Sequence, residues 1–140
     1  MLETTLVALR FLATIGQAIM LATLLFARTF IVEGSVGFSD LSQEQQNNLV
    51  LQFTIVTSVG LGCLLFEWLG MVFGISIFIR SINVFHFLLH LIGTVALLVF
   101  YLDEYPSTSI LPLVAVVGGL PFLAEVWAYV MVFGLKKQIY

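Results

Sequence analysis

The sequence predicts an all-α integral membrane protein, a four-helix transmembrane bundle with both termini in the cytosol. Composition is the first reason. Of 140 residues, 61% are hydrophobic and only 9% are charged, with a mean hydropathy of +1.13. A soluble domain carries roughly a quarter charged residues. The second reason is that the apolar residues fall into four runs, each reaching the ~20 residues that a helical span needs. The third is the placement of basic residues in alternate connections, which four spans with both ends inside satisfy. The slightly acidic balance argues against nucleic acid as a partner, because such surfaces are basic. The runs do not alternate polar and apolar residues, which excludes a membrane β-barrel.

The chain reads as one membrane domain, residues 1–140, with spans at about 6–32, 49–79, 82–102 and 110–135. The first run is too long for a signal-peptide core, and Glu3 precedes its only early basic residue, Arg10, so it is expected to be a retained span. An outer loop follows at 33–48, with Glu33, Asp40 and Glu44 among glutamines and asparagines. Ser39 and Asp40 suit a helix start, so a short interfacial helix leading into the second span is expected there. The second run, 49–79, exceeds one crossing and predicts tilt or protruding ends. Arg80 to Asn83 is expected to turn the chain into the third run. The second outer loop, 103–109, contains Pro106 and a Ser/Thr cluster suited to capping the fourth helix. Pro112 falls in that helix's first turn, where a missing N–H is harmless. Pro121 falls inside the run, where it should kink the helix and leave the carbonyl of Val117 without its usual partner.

Orientation rests on Arg10, Arg80, Lys136 and Lys137 as topology anchors at the cytosolic face, with Arg28 as the exception. The single cysteine, Cys63, permits no internal disulfide and reads as a small packing residue. No Asn-x-Ser/Thr acceptor occurs.

Each span carries a polar residue that must face protein rather than lipid, because an unpaired polar group in hydrocarbon costs several kcal/mol. In the second span Gly60, Cys63, Glu67, Gly70 and Gly74 share one small-residue face. Arg10, Thr14 and Gln17 share a face in the first span, as do Asn83, His86, His90 and Gly93 in the third, and Gly118, Pro121 and Glu125 in the fourth. At about 1.5 Å per residue, Gln17, Glu67, His90 and Glu125 lie about 16, 18, 12 and 15 Å from the cytosolic ends of their spans. These depths predict one shared buried polar layer of Gln17, Glu67, His90 and Glu125, with Gly70, Gly74, Gly93 and Pro121 as helix-packing positions.

The leading interpretation of that layer is structural, with the four groups hydrogen-bonded across the bundle. A proton or ion path through Glu67, His90 and Glu125 is the alternative, because buried ionisable groups mark such paths. A metal site is the third interpretation. His86 and His90 lie one turn apart, as in half a zinc site, but no Glu-x-x-His motif and no second ligand pair accompanies them. No metal, cofactor or small-molecule substrate is therefore expected. No nucleophile elbow or phosphate loop appears, and no enzymatic activity is expected.

Several segments carry a family resemblance. Leu120-Pro121 to Glu125, the Phe133-Gly134-Leu135-Lys136-Lys137 ending, the Arg10-Phe11-Leu12 entry and the spacing of Glu67, Gly70, Gly74, Ser76, Phe78 and His90 resemble the transmembrane protein 107 family. The resemblance spans nearly the whole chain. Gln17 departs from it, standing where that family is expected to carry a histidine. The resemblance implies a non-enzymatic, multi-pass component of the ciliary transition zone, within the Meckel syndrome module. It further implies a role in recruiting other transition-zone membrane and soluble proteins, in the ciliary diffusion barrier and in cilium assembly.

Overall fold

The computed structural model describes residues 2–35, 37–103 and 105–134, with Leu2 and Glu3 described by their backbone alone. Lys136 and Lys137, and the end of the fourth span at 135, lie outside the described residues. Four helical segments there are long and apolar enough to cross a membrane: Thr4–Phe26, Gln43–Val72, Arg80–Leu102 and Ser107–Gly134.

Helix α1 runs Leu2–Phe26 and, after a break at Ala27, α2 runs Arg28–Glu33. The continuous run expected over 6–32 is thus two helices. Arg28 donates to the carbonyl of Leu25, capping the end of α1 with its own guanidinium. The next helix begins later than Asp40. Phe38–Asp40 forms only a 3-10 turn, and α3 runs Gln43–Val72 from Ser42 as its N-cap. A capping box explains the choice. Gln45 N donates to Ser42 Oγ, and Ser42 N donates to Gln45 Oε1. Gln46 then ties the loop down by donating to the carbonyls of Phe38 and Leu41. Among the described residues no separate helix lies between Asp40 and Gln43; the polar first turns belong to α3 itself.

The second run also ends earlier than its apolar residues suggest. Gly74 adopts φ +72°, and its N–H bonds Met71 O while the N–H of Ile75 bonds Gly70 O. This pair of bonds is a Schellman termination, which needs a left-handed residue just past the helix. Gly74 therefore stops α3 and is not a helix-packing glycine, because a Cβ there would meet only the Phe78 ring, at 3.6 Å. The connection is 73–79, and Arg80 opens helix α4, Arg80–Leu102, instead of forming part of the turn.

The fourth span is composite. A 3-10 turn at Ser107–Ser109 leads into α5, Ile110–Val114; a π segment at Ala115–Gly119 leads into α6, Leu120–Tyr129; a second π segment covers Val130–Gly134. Pro121, at the start of α6, removes the donor that would close the turn above it, and the wider π turn sits where that bond is missing.

Helix α1 packs beside α3 and α4, and the fourth span completes the ring on their other side. Helices α3 and α4 therefore face each other across the bundle, as do α1 and the fourth span. The half nearer the connections from α2 to α3 and from α4 to the fourth span holds the apolar core, with Leu21, Leu24, Phe53, Leu64, Leu97, Phe100 and Val114 buried together. The other half is filled by polar side chains. Leu65, Leu69, Phe73 and Trp127 lie on the outside, half or more exposed, as expected of surfaces solvated by lipid.

Candidate functional site, a buried polar column

The helical stripes deliver their polar residues to the bundle interior. Arg10, Thr14, Gln17, Glu67, Ser76, His86, His90 and Glu125 have no exposed surface, and Asn83 is nearly as buried. They form a column rather than a single layer.

Its upper end begins at the fourth span. Pro121 has no N–H to offer Val117 O, and Gln17 Nε2 from α1 donates to that carbonyl at 3.0 Å. A carbonyl can only accept, so this bond fixes the orientation of the Gln17 amide. Gln17 Oε1 is then the acceptor for His90 Nδ1–H at 2.8 Å. The other nitrogen of that ring, Nε2, lies 2.7 Å from Glu67 Oε2. With Nδ1 committed as a donor, one proton is shared along the Nε2···Oε2 contact, carried by either the imidazole or the carboxyl. Gly93 makes room for this joint, because a Cβ there would lie 2.8 Å from Gln17 Oε1 and 2.9 Å from Val117 Cβ.

The lower end is organised by Arg10. Its guanidinium donates to Glu125 Oε2 at 3.0 Å, to Ser76 Oγ at 3.0 Å and to Asn83 Oδ1 at 2.8 Å. Asn83 in turn donates to the carbonyl of Ile77 in the α3–α4 connection. Gly70 admits the Glu125 carboxyl against α3, since a Cβ there would overlap Glu125 Oε1. Gly70 and Gly93 thus occupy true close-approach positions.

His86 joins the two ends. Its Nδ1 lies 3.3 Å from Glu67 Oε2 and its Nε2 lies 3.9 Å from Glu125 Oε2. Neither nitrogen makes a hydrogen bond, and Glu67 Oε1 and Glu125 Oε1 are likewise unpartnered. The ligand atoms of Glu67, His86 and His90 lie within 4.8 Å of one another, a grouping able to hold a metal ion.

Of the four residues expected to share a layer, Gln17, Glu67 and His90 touch in series. Glu125 is a level lower, paired with Arg10. Arg10 is therefore not a surface topology anchor but half of a buried ion pair, while Arg80 is exposed at the start of α4. Sequence reasoning left Arg10, Ser76, Asn83 and His86 out of the cluster. The signal was present: Arg10 shares its face with Thr14 and Gln17, and Asn83 and His86 share theirs with His90.

In chemical terms, the column crosslinks both diagonals of the bundle. Arg10–Glu125 and Gln17–Val117 join α1 to the fourth span, and Glu67–His90 joins α3 to α4. Comparison with known proteins supplies the family. The family model described as TMEM107: Transmembrane protein matches residues 6–129. Human transmembrane protein 107 is 26% identical over 133 residues, covering 95% of this chain and 94% of its own. The rat protein of that name is 26% identical over 135 residues, with the same coverage. Its counterpart from Xenopus laevis is 24% identical over 135 residues, covering 96% of each chain. No solved structure matches the chain. With a family match running from the first span into α6, the chain belongs to the transmembrane protein 107 family.

Proposed function

We propose that this chain is a non-enzymatic structural membrane component of the ciliary transition zone, acting within the Meckel syndrome module. It helps recruit membrane and soluble partners, and supports the ciliary diffusion barrier and cilium assembly. The family match over residues 6–129 carries this reading. The distribution of chemistry supports it: the ionisable groups deep in the spans, Arg10, Glu67, His86, His90 and Glu125, are turned inward, so partners must meet the outer helix faces, the outer loops or the cytosolic ends. Phe26, Phe30 and Phe73 are 85%, 77% and 69% exposed, offering aromatic surface to neighbouring membrane proteins as well as to lipid. Both termini and the 73–79 connection face the cytosol in this reading.

Co-isolation from a ciliated cell tests it. The tagged chain should bring down several transition-zone proteins, and a variant with Phe26 and Phe30 changed to Ala should lose some of them while remaining folded. Recovery of none of them would overturn the proposal. The transporter alternative is separated by Glu67→Gln in proteoliposomes: loss of a measurable proton or ion flux would favour transport, whereas the structural reading expects no flux in either protein.

A further inference from the structure

We propose that Glu67, His86 and His90 bind one divalent transition-metal ion of the zinc type, bridging α3 and α4 at the centre of the bundle. Two imidazoles and one carboxylate are a donor set suited to zinc and its first-row neighbours. His86 and His90 are one turn apart on α4, and Glu67 reaches them from the helix across the bundle. That third ligand is 23 residues from His90 in sequence, so no local motif announces it.

One of the ligand separations already matches the ion. Metal–ligand bonds of about 2.0–2.1 Å in a tetrahedral site place ligand atoms about 3.3 Å apart. His86 Nδ1 is 3.3 Å from Glu67 Oε2, and His90 Nε2 is 2.7 Å from the same oxygen. All three ligand atoms lie within 4.8 Å of one another, so binding turns the Glu67 carboxyl and draws the two imidazoles closer together.

Two further observations point to a ligand here. One is His86, which is wholly buried with both ring nitrogens lacking hydrogen bonds, beside an unpartnered Glu67 Oε1. Leaving each such group unsatisfied costs about 1–3 kcal/mol. A cation between them accepts the Nδ1 lone pair of His86 and the negative charge of Glu67 together. The other is the outer shell. Metal-bound histidines direct their second nitrogen at a carboxylate or carbonyl that fixes the ring. His90 Nδ1 donates to Gln17 Oε1, and His86 Nε2 points toward Glu125 Oε2 at 3.9 Å. Each ring thus shows one nitrogen to Glu67 and the other to an oxygen acceptor held by a further helix. Gln17 is fixed by Val117 O, and Glu125 by Arg10.

The charges balance in a defined way. Without metal, two carboxylates face one guanidinium and the proton shared by His90 and Glu67. A divalent ion binds His86 Nδ1, His90 Nε2 and Glu67, and that one proton leaves to solvent. The column's net charge rises from zero to +1. The unpartnered Glu67 Oε1 is the oxygen available to complete the fourth position. With no open face on the site, the ion's role is structural, tying together the two helices that otherwise face each other without a shared wall.

The test uses the full chain in detergent micelles, with its affinity tag removed. The protein is stripped with a chelator, exposed to zinc chloride, desalted and assayed for metal. About one zinc per chain is expected in the wild type, and less than a tenth of that in His86→Gln and in His90→Gln. Gln17→Leu should weaken zinc affinity about 10–100-fold without changing stoichiometry at saturation. Zinc uptake by the wild type no greater than that of the double histidine variant would overturn the proposal. If the histidine variants do not fold, cobalt loading of the wild type decides: an intense tetrahedral visible spectrum supports the site, and a weak octahedral one or no binding overturns it.

Discussion

Replacing Arg10 with methionine leaves the Glu125 carboxylate in the bundle with no cation. The guanidinium is the donor to Glu125 Oε2, and Glu125 Oε1 is already unpartnered. Ser76 Oγ and Asn83 Oδ1 lose the same donor. Both charged groups are fully buried, so solvent screening does not soften the loss. Removing one partner of such a pair costs about 3–5 kcal/mol, or roughly two to nearly four powers of ten in the folding equilibrium. Arg10→Met should therefore unfold far earlier than the wild type when helicity is followed by circular dichroism across an SDS titration of mixed micelles. Glu125→Met should suffer similarly, because it strands the arginine. The double variant Arg10→Met/Glu125→Met removes both charges, and should recover to within about 2 kcal/mol of the wild type. A cost for Arg10→Met below about 1 kcal/mol, in the range of exposed pairs, would show that the pair is solvated. So would costs that simply add in the double variant.

Other substitutions sample the rest of the column by the same unfolding assay. Gly93→Ala pushes Gln17 and Val117 away from α4 and should cost about 1–3 kcal/mol, whereas Gly62→Ala, where a Cβ meets nothing within 4 Å, should be neutral or slightly stabilising. Gly74→Ala places a side chain at φ +72° and should cost about 1 kcal/mol with no change in helix packing. Gln17→Leu strands Val117 O and His90 Nδ1 and should cost about 1–2 kcal/mol. In a Pro121→Ala background that cost should shrink, because a backbone N–H becomes available to Val117 O.

Much of the fold is legible in the sequence because lipid imposes simple rules. Span count follows from run length, and each buried stripe follows from the 3.6-residue period: Arg10, Thr14, Gln17, Leu21 and Leu24 on α1 are all buried, as are Asn83, His86, His90, Gly93 and Leu97 on α4. The vacancy at Val117 O follows from Pro121 alone. What fills it does not, because Gln17 comes from a distant helix, and the helix order is a tertiary fact. Helix ends are governed by atoms that hydropathy ignores, the Ser42–Gln45 capping box and the left-handed Gly74. Arg10 is harder for another reason. Charge near an end of a span suggests an interfacial anchor, yet α1 begins at Leu2, so Arg10 is already two turns into the helix. Glu125 can sit across from it only because Gly70 has no side chain, a complementarity visible only once the helices are placed.

The most direct test of the proposed role is where the chain resides. A fluorescently tagged copy, expressed at low level in a ciliated cell and imaged beside a basal-body marker, should form a ring or spot at the ciliary base, enriched several-fold over the surrounding cell membrane. The Arg10→Met/Glu125→Met variant, with its outer surface intact, should localise in the same way. An even distribution of the wild-type chain over the cell membrane, with no enrichment at the ciliary base, would contradict the assignment to the transition zone.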